Sequence, residues 1–185
     1  MGIALAMSEQ MMRRAVFLDR DGVINRVTLR NGKPHPPSSV AALDILPGVH
    51  EALERLKNAG FMLIVVSNQP DVARGTTTRE VVETIHARLA DSLPIDRFVV
   101  CYHDTADDCD CRKPRPGMLL ASAKELLIDL TKSYMVGDRW RDIEAGNRAG
   151  CKTLFIDSGY LEESPRDYDF RVSSLLEAAS IILDT

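Results

Sequence analysis

The chain has 185 residues, and its hydrophobic and charged fractions, 45% and 27%, are ordinary for a globular protein. This length suits one domain that is large enough to fold without disulfide bonds. The formal net charge of −4 gives no electrostatic reason to expect nucleic acid or an anionic membrane as a partner. Since no apolar run approaches the ~20 residues of a membrane span, we expect a cytoplasmic protein. We also expect it to act as a monomer.

Apolar runs alternate with segments of helical periodicity. We expect residues 1–13 to be an extension and residues 14–185 to form a single domain. In chain order, the pattern predicts a strand at 15–18, a loop at 31–39, a helix at 47–58, strand 61–66, helix 76–90, strand 98–100, a helix from 116, strand 134–136, helix 141–149, a last strand at 152–156 and a terminal helix at 173–182.

Strands that alternate with helices indicate an α/β fold, in which helices cover both faces of a mostly parallel central sheet. Ligands of such folds bind at the carboxyl ends of the strands, near a point where the strand order reverses. The polar residues that follow the predicted strands are therefore the first candidates for a functional site.

Two acidic residues follow the first strand, in the sequence Asp19-Arg20-Asp21-Gly22. Two carboxylates beside a buried strand are costly unless a cation offsets their repulsion, and Mg²⁺ prefers oxygen ligands. One carboxylate could attack phosphorus while the other handles the proton of the leaving oxygen. For an isolated pair of this kind, a solvated acidic loop would be the simpler explanation.

Polar residues also follow the second strand and the third. Ser67, Asn68 and Gln69 could donate hydrogen bonds to the phosphoryl oxygens of a substrate, although such residues are also common in turns. Lys113 could offset negative charge on a nucleophile and on the phosphoryl group, or it could be an ordinary surface lysine.

Asp138 ends the fourth strand and is a candidate carboxylate ligand of the same metal. Asp142 lies four residues further on. It either binds a metal-coordinated water or stabilises the first turn of the following helix through the helix dipole.

The order D-x-D-G, S-N, K-P and G-D resembles the haloacid dehalogenase (HAD) superfamily of phosphotransferases, over residues 14–157. The resemblance implies a Rossmann-like three-layer sandwich and Mg²⁺-dependent hydrolysis of a phosphomonoester. It also implies that Asp19 is the nucleophile, which becomes an aspartyl-phosphate, and that Asp21 is the general acid and base.

The same resemblance assigns the ligands of the phosphate and of the metal. Ser67 and Lys113 would hold the phosphate. Asp19, the backbone carbonyl of Asp21, and Asp138 would bind Mg²⁺.

Three cysteines and one histidine lie close together in the loop 101–111. Cys101, His103, Cys109 and Cys111 form a complete tetrahedral set for Zn²⁺ with no open position, so the zinc would be structural. A cluster of free thiols is the alternative. Bound zinc would fix the loop that leads directly to Lys113.

The run C-D-C-R-K-P-R-P-G-M, with D-R-D-G-V-I-N-R and A-R-G, resembles the D-glycero-D-manno-heptose 1,7-bisphosphate 7-phosphatases, which lack a large cap domain. By this resemblance Arg74 and Arg112 would bind the distal anionic group of a small phosphorylated sugar. Histidinol-phosphate phosphatases share the zinc loop and are the alternative. Pro70 and Asp71 depart from the Q-S-G-I-A-R-G that the heptose enzymes usually have. This departure affects the expected identity of the substrate but not the type of reaction.

Two function classes compete with a phosphatase. Phospho-acceptor signalling domains also pair acidic residues with a lysine on a parallel sheet, but they lack D-x-D-G and the zinc loop. A zinc-stabilised scaffold without activity is the other alternative, and the complete set of catalytic positions argues against it.

Overall fold

The computed structural model describes residues 12–185, so most of the predicted extension 1–13 lies outside the described residues. Within these residues, eight strands and five α-helices follow one another: β1 (Ala15–Leu18), β2 (Thr28–Arg30), β3 (Lys33–His35), α1 (Val49–Asn58), β4 (Met62–Asn68), α2 (Arg79–Ser92), β5 (Arg97–Cys101), α3 (Gly117–Leu126), β6 (Tyr134–Gly137), α4 (Trp140–Ala149), β7 (Lys152–Ile156), β8 (Phe170–Val172) and α5 (Leu175–Asp184).

Six strands form one parallel sheet in the order β5-β4-β1-β6-β7-β8. The strand β1 lies at the centre, and Leu18 at its end pairs with Val65 of β4 on one side and with Val136 of β6 on the other. The strand order reverses at β1, because β4 and β5 continue outward on one side and β6 to β8 on the other. The carboxyl ends of β1, β4 and β6 therefore meet at one edge.

The side chains of β1 alternate between two cores, as a strand buried on both faces requires. Val16 and Leu18 pack in the core under α1, α2 and α5, whereas Ala15 and Phe17 pack against α3 and α4. This arrangement of a parallel sheet between two helical layers confirms the predicted α/β three-layer fold.

Two predictions about secondary structure are wrong. The segment 31–39, predicted as a loop, contains β3, which pairs with β2 in an antiparallel hairpin. Asn31 and Gly32 form its two-residue turn with φ of 52° and 72°, and Asn-Gly is a typical sequence for such a turn. The strand at 152–156 is not the last one, because the three-residue β8 adds to it at the sheet edge.

The insertion between β1 and α1 contains only this hairpin and a short 3₁₀ turn, so a large cap domain is absent from residues 12–185. Across the same residues, every helix is too short or too polar to cross a lipid bilayer.

Candidate active site

A buried lysine joins two of the acidic residues at the carboxyl edge of the sheet. Lys113 Nζ lies 2.7 Å from Asp19 Oδ1 and 2.7 Å from Asp142 Oδ1, and it donates a third hydrogen bond of 2.7 Å to the carbonyl of Val66. The lysine side chain is 1% exposed. These three partners account for all three protons of the ammonium group, so its position is fixed.

Asp138 completes a cluster of three carboxylates. Carboxylate oxygens of Asp19, Asp138 and Asp142 lie within 4.8 Å of one another. Asp138 is buried, and both of its carboxylate oxygens are without a hydrogen-bond partner among residues 12–185. A buried, unpartnered carboxylate is expensive unless a cation compensates it, so the donor set fits a hard divalent cation such as Mg²⁺.

The turn after β1 brings the backbone close to this cluster. Gly22 has φ +95°, and a Cβ at this position would lie 1.8 Å from Asp138 Oδ2. Only glycine allows the turn to approach the carboxylate so closely.

Burial and mutual repulsion perturb the acidic groups. Burial raises the pKa of Asp19 to about 6, against the opposing effect of Lys113 and with a further contribution from Asp142. Burial, and then the charges of Asp19 and Asp142, raise the pKa of Asp138 well above its usual value. For Lys113, burial favours the neutral form, but Asp142 and Asp19 outweigh it and raise its pKa. A divalent cation would relieve the repulsion among the carboxylates.

Three side chains, through four nitrogen atoms, fix the second acidic residue of the D-x-D motif. Arg20 donates to Asp21 through Nε (3.1 Å) and Nη2 (3.0 and 2.9 Å). Asn25 Nδ2 donates at 3.0 Å and Gln69 Nε2 at 2.8 Å. The carboxylate of Asp21 is therefore held in one orientation, 16% exposed at the wall of the cavity described below.

The polar residues at the end of β4 have mostly structural partners. Gln69 Nε2 donates to Ser67 Oγ at 2.8 Å in addition to Asp21. Asn68 donates from Nδ2 to the carbonyl of Lys113 at 3.0 Å and accepts from the Lys113 amide at 3.1 Å. The side chains of Asn68 and Gln69 thus position Lys113 and Asp21. Both residues also line the cavity described below, and their direct contact with substrate stays a prediction.

The two carboxylate oxygens of Asp142 have different partners. Its Oδ2 accepts a hydrogen bond of 3.1 Å from the Arg139 amide at the start of α4, while Oδ1 binds Lys113. The helix-start interpretation is therefore confirmed, and the contact with a metal-bound water stays a prediction.

A cavity of about 320 Å³ opens over Asp19, Asp21 and Lys113. Most of its other charged lining residues are basic, which suits a multiply charged anionic ligand: Lys33, Arg74, Arg112, Arg139 and Arg141, with Asp71, Asp142 and Glu162 as the acidic ones. The hairpin β2–β3 contributes one wall through Lys33 and His35. The start of α4 contributes Arg139 and Arg141, which the sequence analysis did not single out.

The predicted substrate-binding arginines are already engaged by the zinc loop. Arg74 donates from Nε (2.8 Å) and Nη2 (2.6 Å) to Asp104 and contacts Asp71 at 3.3 Å. Arg112 Nη1 donates to the His103 carbonyl at 3.2 Å, and its Nη2 lies 4.0 Å from Asp104. Asp71, the departure noted in the sequence, thus partly neutralises Arg74.

Arg141 differs from these arginines. Its Nε is buried and has no hydrogen-bond partner in the described part of the chain. Burial, and then the charge of neighbouring Arg139, lower its pKa. Arg139, in contrast, forms a two-point ion pair with Glu162, including a contact of 2.8 Å from Nε.

The zinc ligands converge as predicted. Ligand atoms of Cys101, His103, Cys109 and Cys111 lie within 4.8 Å of one another, with His103 Nδ1 3.3 Å from Cys111 Sγ and the Cys101 and Cys109 sulfurs 3.6 Å apart. None of the four cysteines, all of which lie among the described residues, forms a disulfide bond. The set fits a closed structural Zn²⁺ site. The fourth cysteine, Cys151, is a buried core residue outside this set.

Comparisons with known proteins agree with this geometry. A family model described as HAD-hyrolase-like matches residues 110–178. The D-glycero-beta-D-manno-heptose-1,7-bisphosphate 7-phosphatase of Pasteurella multocida is 35% identical, covering 92% of this chain and 97% of that protein. The Haemophilus influenzae protein of the same name is 40% identical over 76% of this chain and 79% of its own length.

A solved structure extends the similarity to three dimensions. The D,D-heptose 1.7-bisphosphate phosphatase from B. bronchiseptica, crystallised with magnesium and phosphate, has a TM-score of 0.76 and 28% identity, with 92% of this chain and 98% of that chain covered. With 35% identity along 97% of a curated relative, the chain belongs to the D-glycero-β-D-manno-heptose-1,7-bisphosphate 7-phosphatase family of HAD-like phosphatases.

Proposed function

We propose that this protein is a Mg²⁺-dependent phosphatase that removes the 7-phosphate of D-glycero-β-D-manno-heptose 1,7-bisphosphate through a phosphorylated Asp19. One observation carries the proposal: a buried lysine bridges Asp19 and Asp142 next to Asp138, whose oxygens are unpartnered. Such a charge arrangement is costly as mere structure. It becomes useful when a cation and a phosphoryl group enter the site.

In the first step, a carboxylate oxygen of Asp19 forms a bond to phosphorus, and the bond from phosphorus to the sugar oxygen breaks. Asp21 gives a proton to that leaving oxygen. Lys113, fixed by its three hydrogen bonds, offsets the negative charge that gathers around the reacting group.

In the second step, Asp21 takes a proton from a water molecule, and the water oxygen attacks phosphorus. The bond between phosphorus and Asp19 breaks, and inorganic phosphate leaves. Mg²⁺ held by Asp19, Asp138 and the backbone carbonyl of Asp21 would supply charge neutralisation for both steps.

The choice of substrate rests on the relatives and on the cavity. The curated relatives are named for heptose 1,7-bisphosphate, and the basic residues of the cavity wall suit a substrate with a second anionic group. Arg112 and Arg141 are the cations we assign to that group. Arg74 would join them only by giving up part of its pairing with Asp104.

The reaction can be tested with p-nitrophenyl phosphate and a panel of phosphorylated metabolites, with and without Mg²⁺. We expect Mg²⁺-dependent turnover that is lost in Asp19→Asn and retained in Asp91→Asn, a change at an exposed position of α2. The panel should favour heptose 1,7-bisphosphate. A marked preference for histidinol phosphate would contradict the proposed substrate. Full activity of Asp19→Asn would contradict the proposed role of Asp19 as the nucleophile.

A further inference from the structure

We propose that His86, on α2, is a positioning residue that orients the proton-transferring Asp21 by holding the far side of Arg20. The inference rests on the proposed function, since it concerns the group that protonates the leaving oxygen. It adds a residue outside the cavity lining to the machinery of that step.

Arg20 is the link between the two residues. Its side chain is 1% exposed and presents Nε and Nη2 to the carboxylate of Asp21. The remaining nitrogen, Nη1, points to the imidazole of His86 and lies 3.0 Å from Nε2. A buried guanidinium with a partner on only one side could rotate or leave a donor unsatisfied. His86 supplies the partner on the other side.

The hydrogen bond defines the state of His86. Guanidinium nitrogens only donate, so Nε2 of the imidazole must accept and the ring must be neutral, with its proton on Nδ1. Burial, and then the charge of Arg20, lower the pKa of His86 to about 4. Glu83, whose Oε2 is 4.0 Å from Nδ1, and Asp21 oppose this effect.

The ring of His86 is itself fixed by packing. It stacks on Phe98 of β5, with ring centroids 4.7 Å apart and an angle of 21° between the planes. The histidine is 3% exposed, and its Nδ1 finds no hydrogen-bond partner between residues 12 and 185. The acceptor bond to Arg20 is thus the one hydrogen bond of the imidazole ring in that part of the chain, which favours a positioning role over a role in proton transfer.

A role exerted through Asp21 has a kinetic signature. An alkyl leaving group needs a proton as its bond to phosphorus breaks, whereas p-nitrophenolate leaves readily without one. Because kcat/KM reports the step that phosphorylates Asp19, loss of a well-placed acid lowers it for an alkyl phosphate much more than for an aryl phosphate. General loss of structure would lower both values alike.

The test compares His86→Leu and His86→Gln with wild type on heptose 1,7-bisphosphate, or on the alkyl phosphomonoester that the wild type prefers, and on p-nitrophenyl phosphate. In His86→Leu we expect kcat/KM to fall about tenfold for the alkyl ester and less than about threefold for the aryl ester. His86→Gln offers an amide oxygen to Arg20 and should restore most of the loss. Val82→Ala, one turn earlier on α2 and also buried, should leave the ratio of the two values unchanged.

The ratio within one preparation does not depend on the fraction of folded protein, so partial misfolding cannot imitate the effect. Equal losses on both esters, or a glutamine variant no better than the leucine variant, would overturn the positioning role while leaving the phosphatase intact. A metal-loaded wild type without activity on either ester would instead overturn the proposed function, and the role of His86 with it.

Discussion

Asn68 and Lys113 are joined by two hydrogen bonds that run in opposite directions between one side chain and one peptide backbone. The amide nitrogen of the asparagine donates to the lysine carbonyl, and its oxygen accepts from the lysine amide. The end of β4 is thereby tied to the segment that follows the zinc loop, 45 residues later. The position of Lys113 is therefore fixed by hydrogen bonds to its backbone as well as by those of its ammonium group.

This relationship predicts the effect of Asn68→Ala. Removal of both bonds frees the backbone of Lys113, and we expect kcat to fall about 10- to 100-fold because the charge facing Asp19 is displaced. KM for p-nitrophenyl phosphate should change little. Steady-state kinetics check this, with Asn58→Ala at the exposed end of α1 as the control. A rise in KM at constant kcat would instead indicate that Asn68 binds substrate.

The raised pKa of Asp19 predicts how the stability of the metal-free protein depends on pH. Burial raises that pKa from 3.8 to about 6, so the folded state holds this proton more tightly than the unfolded chain does. Protonation of Asp19 therefore contributes fully to the stability of the folded state below about pH 4. This contribution is lost as the pH rises to about 6. We expect a loss on the order of 3 kcal/mol in the free energy of unfolding.

Urea unfolding between pH 4 and pH 7 in the presence of a chelator measures this dependence. The difference between wild type and Asp19→Asn isolates the contribution of Asp19, because the amide does not titrate. Added Mg²⁺ should restore stability most strongly at the upper end of the range, since it binds the ionised carboxylates. Parallel pH curves for the two proteins would contradict the prediction.

The cluster of Cys101, His103, Cys109 and Cys111 predicts a structural Zn²⁺ ion that affects activity indirectly. We expect about one zinc per chain in protein purified under reducing conditions. Cys109→Ser should lose the zinc and lower kcat, because the loop from Cys101 to Cys111 leads directly into Arg112 and Lys113. Elemental analysis and kinetics check both points, with Cys151→Ser as a control outside the cluster. Folded, fully active protein that contains no zinc would show that the four ligands do not form a metal site.

Arg141→Gln should weaken binding of the second anionic group of the substrate. The Arg141 side chain lines the cavity, so we expect KM for heptose 1,7-bisphosphate to rise about tenfold with kcat nearly constant. A substrate with a single phosphate should be unaffected. Arg148→Gln, on the same helix but paired with Glu144, is the control. An equal effect on mono- and bisphosphates would contradict the assignment.

Much of this site could be predicted from the sequence because a parallel sheet brings the carboxyl ends of its strands together. Asp19 and Asp138 follow strands, and the motif order indicated that they would meet. The partner of a polar side chain could not be predicted in the same way. The side chain of Asn68 can form hydrogen bonds with a phosphate or with a peptide group equally well. Its partner depends on the path of the chain before Lys113, which brings the Lys113 backbone next to it.

Other parts were missed for different physical reasons. The hairpin turn at Asn31-Gly32 had a recognisable sequence, but the two flanking strands are three residues long and exposed or half-buried, so they carry no apolar alternation. Arg139 and Arg141 lie at the start of α4, where the direction of a long side chain depends on tertiary neighbours such as Glu162. The role of His86 depends on packing against Phe98 and on a contact with Arg20, 66 residues earlier in the chain, which no local pattern in the sequence indicates.

The turn at Gly22 limits how this enzyme could be altered by evolution or by design. Even a methyl group there would collide with Asp138, so this position accepts only glycine while Asp138 keeps its place. Changes in substrate preference must therefore arise elsewhere on the cavity wall, for which the hairpin β2–β3, with Lys33 and His35, is the candidate.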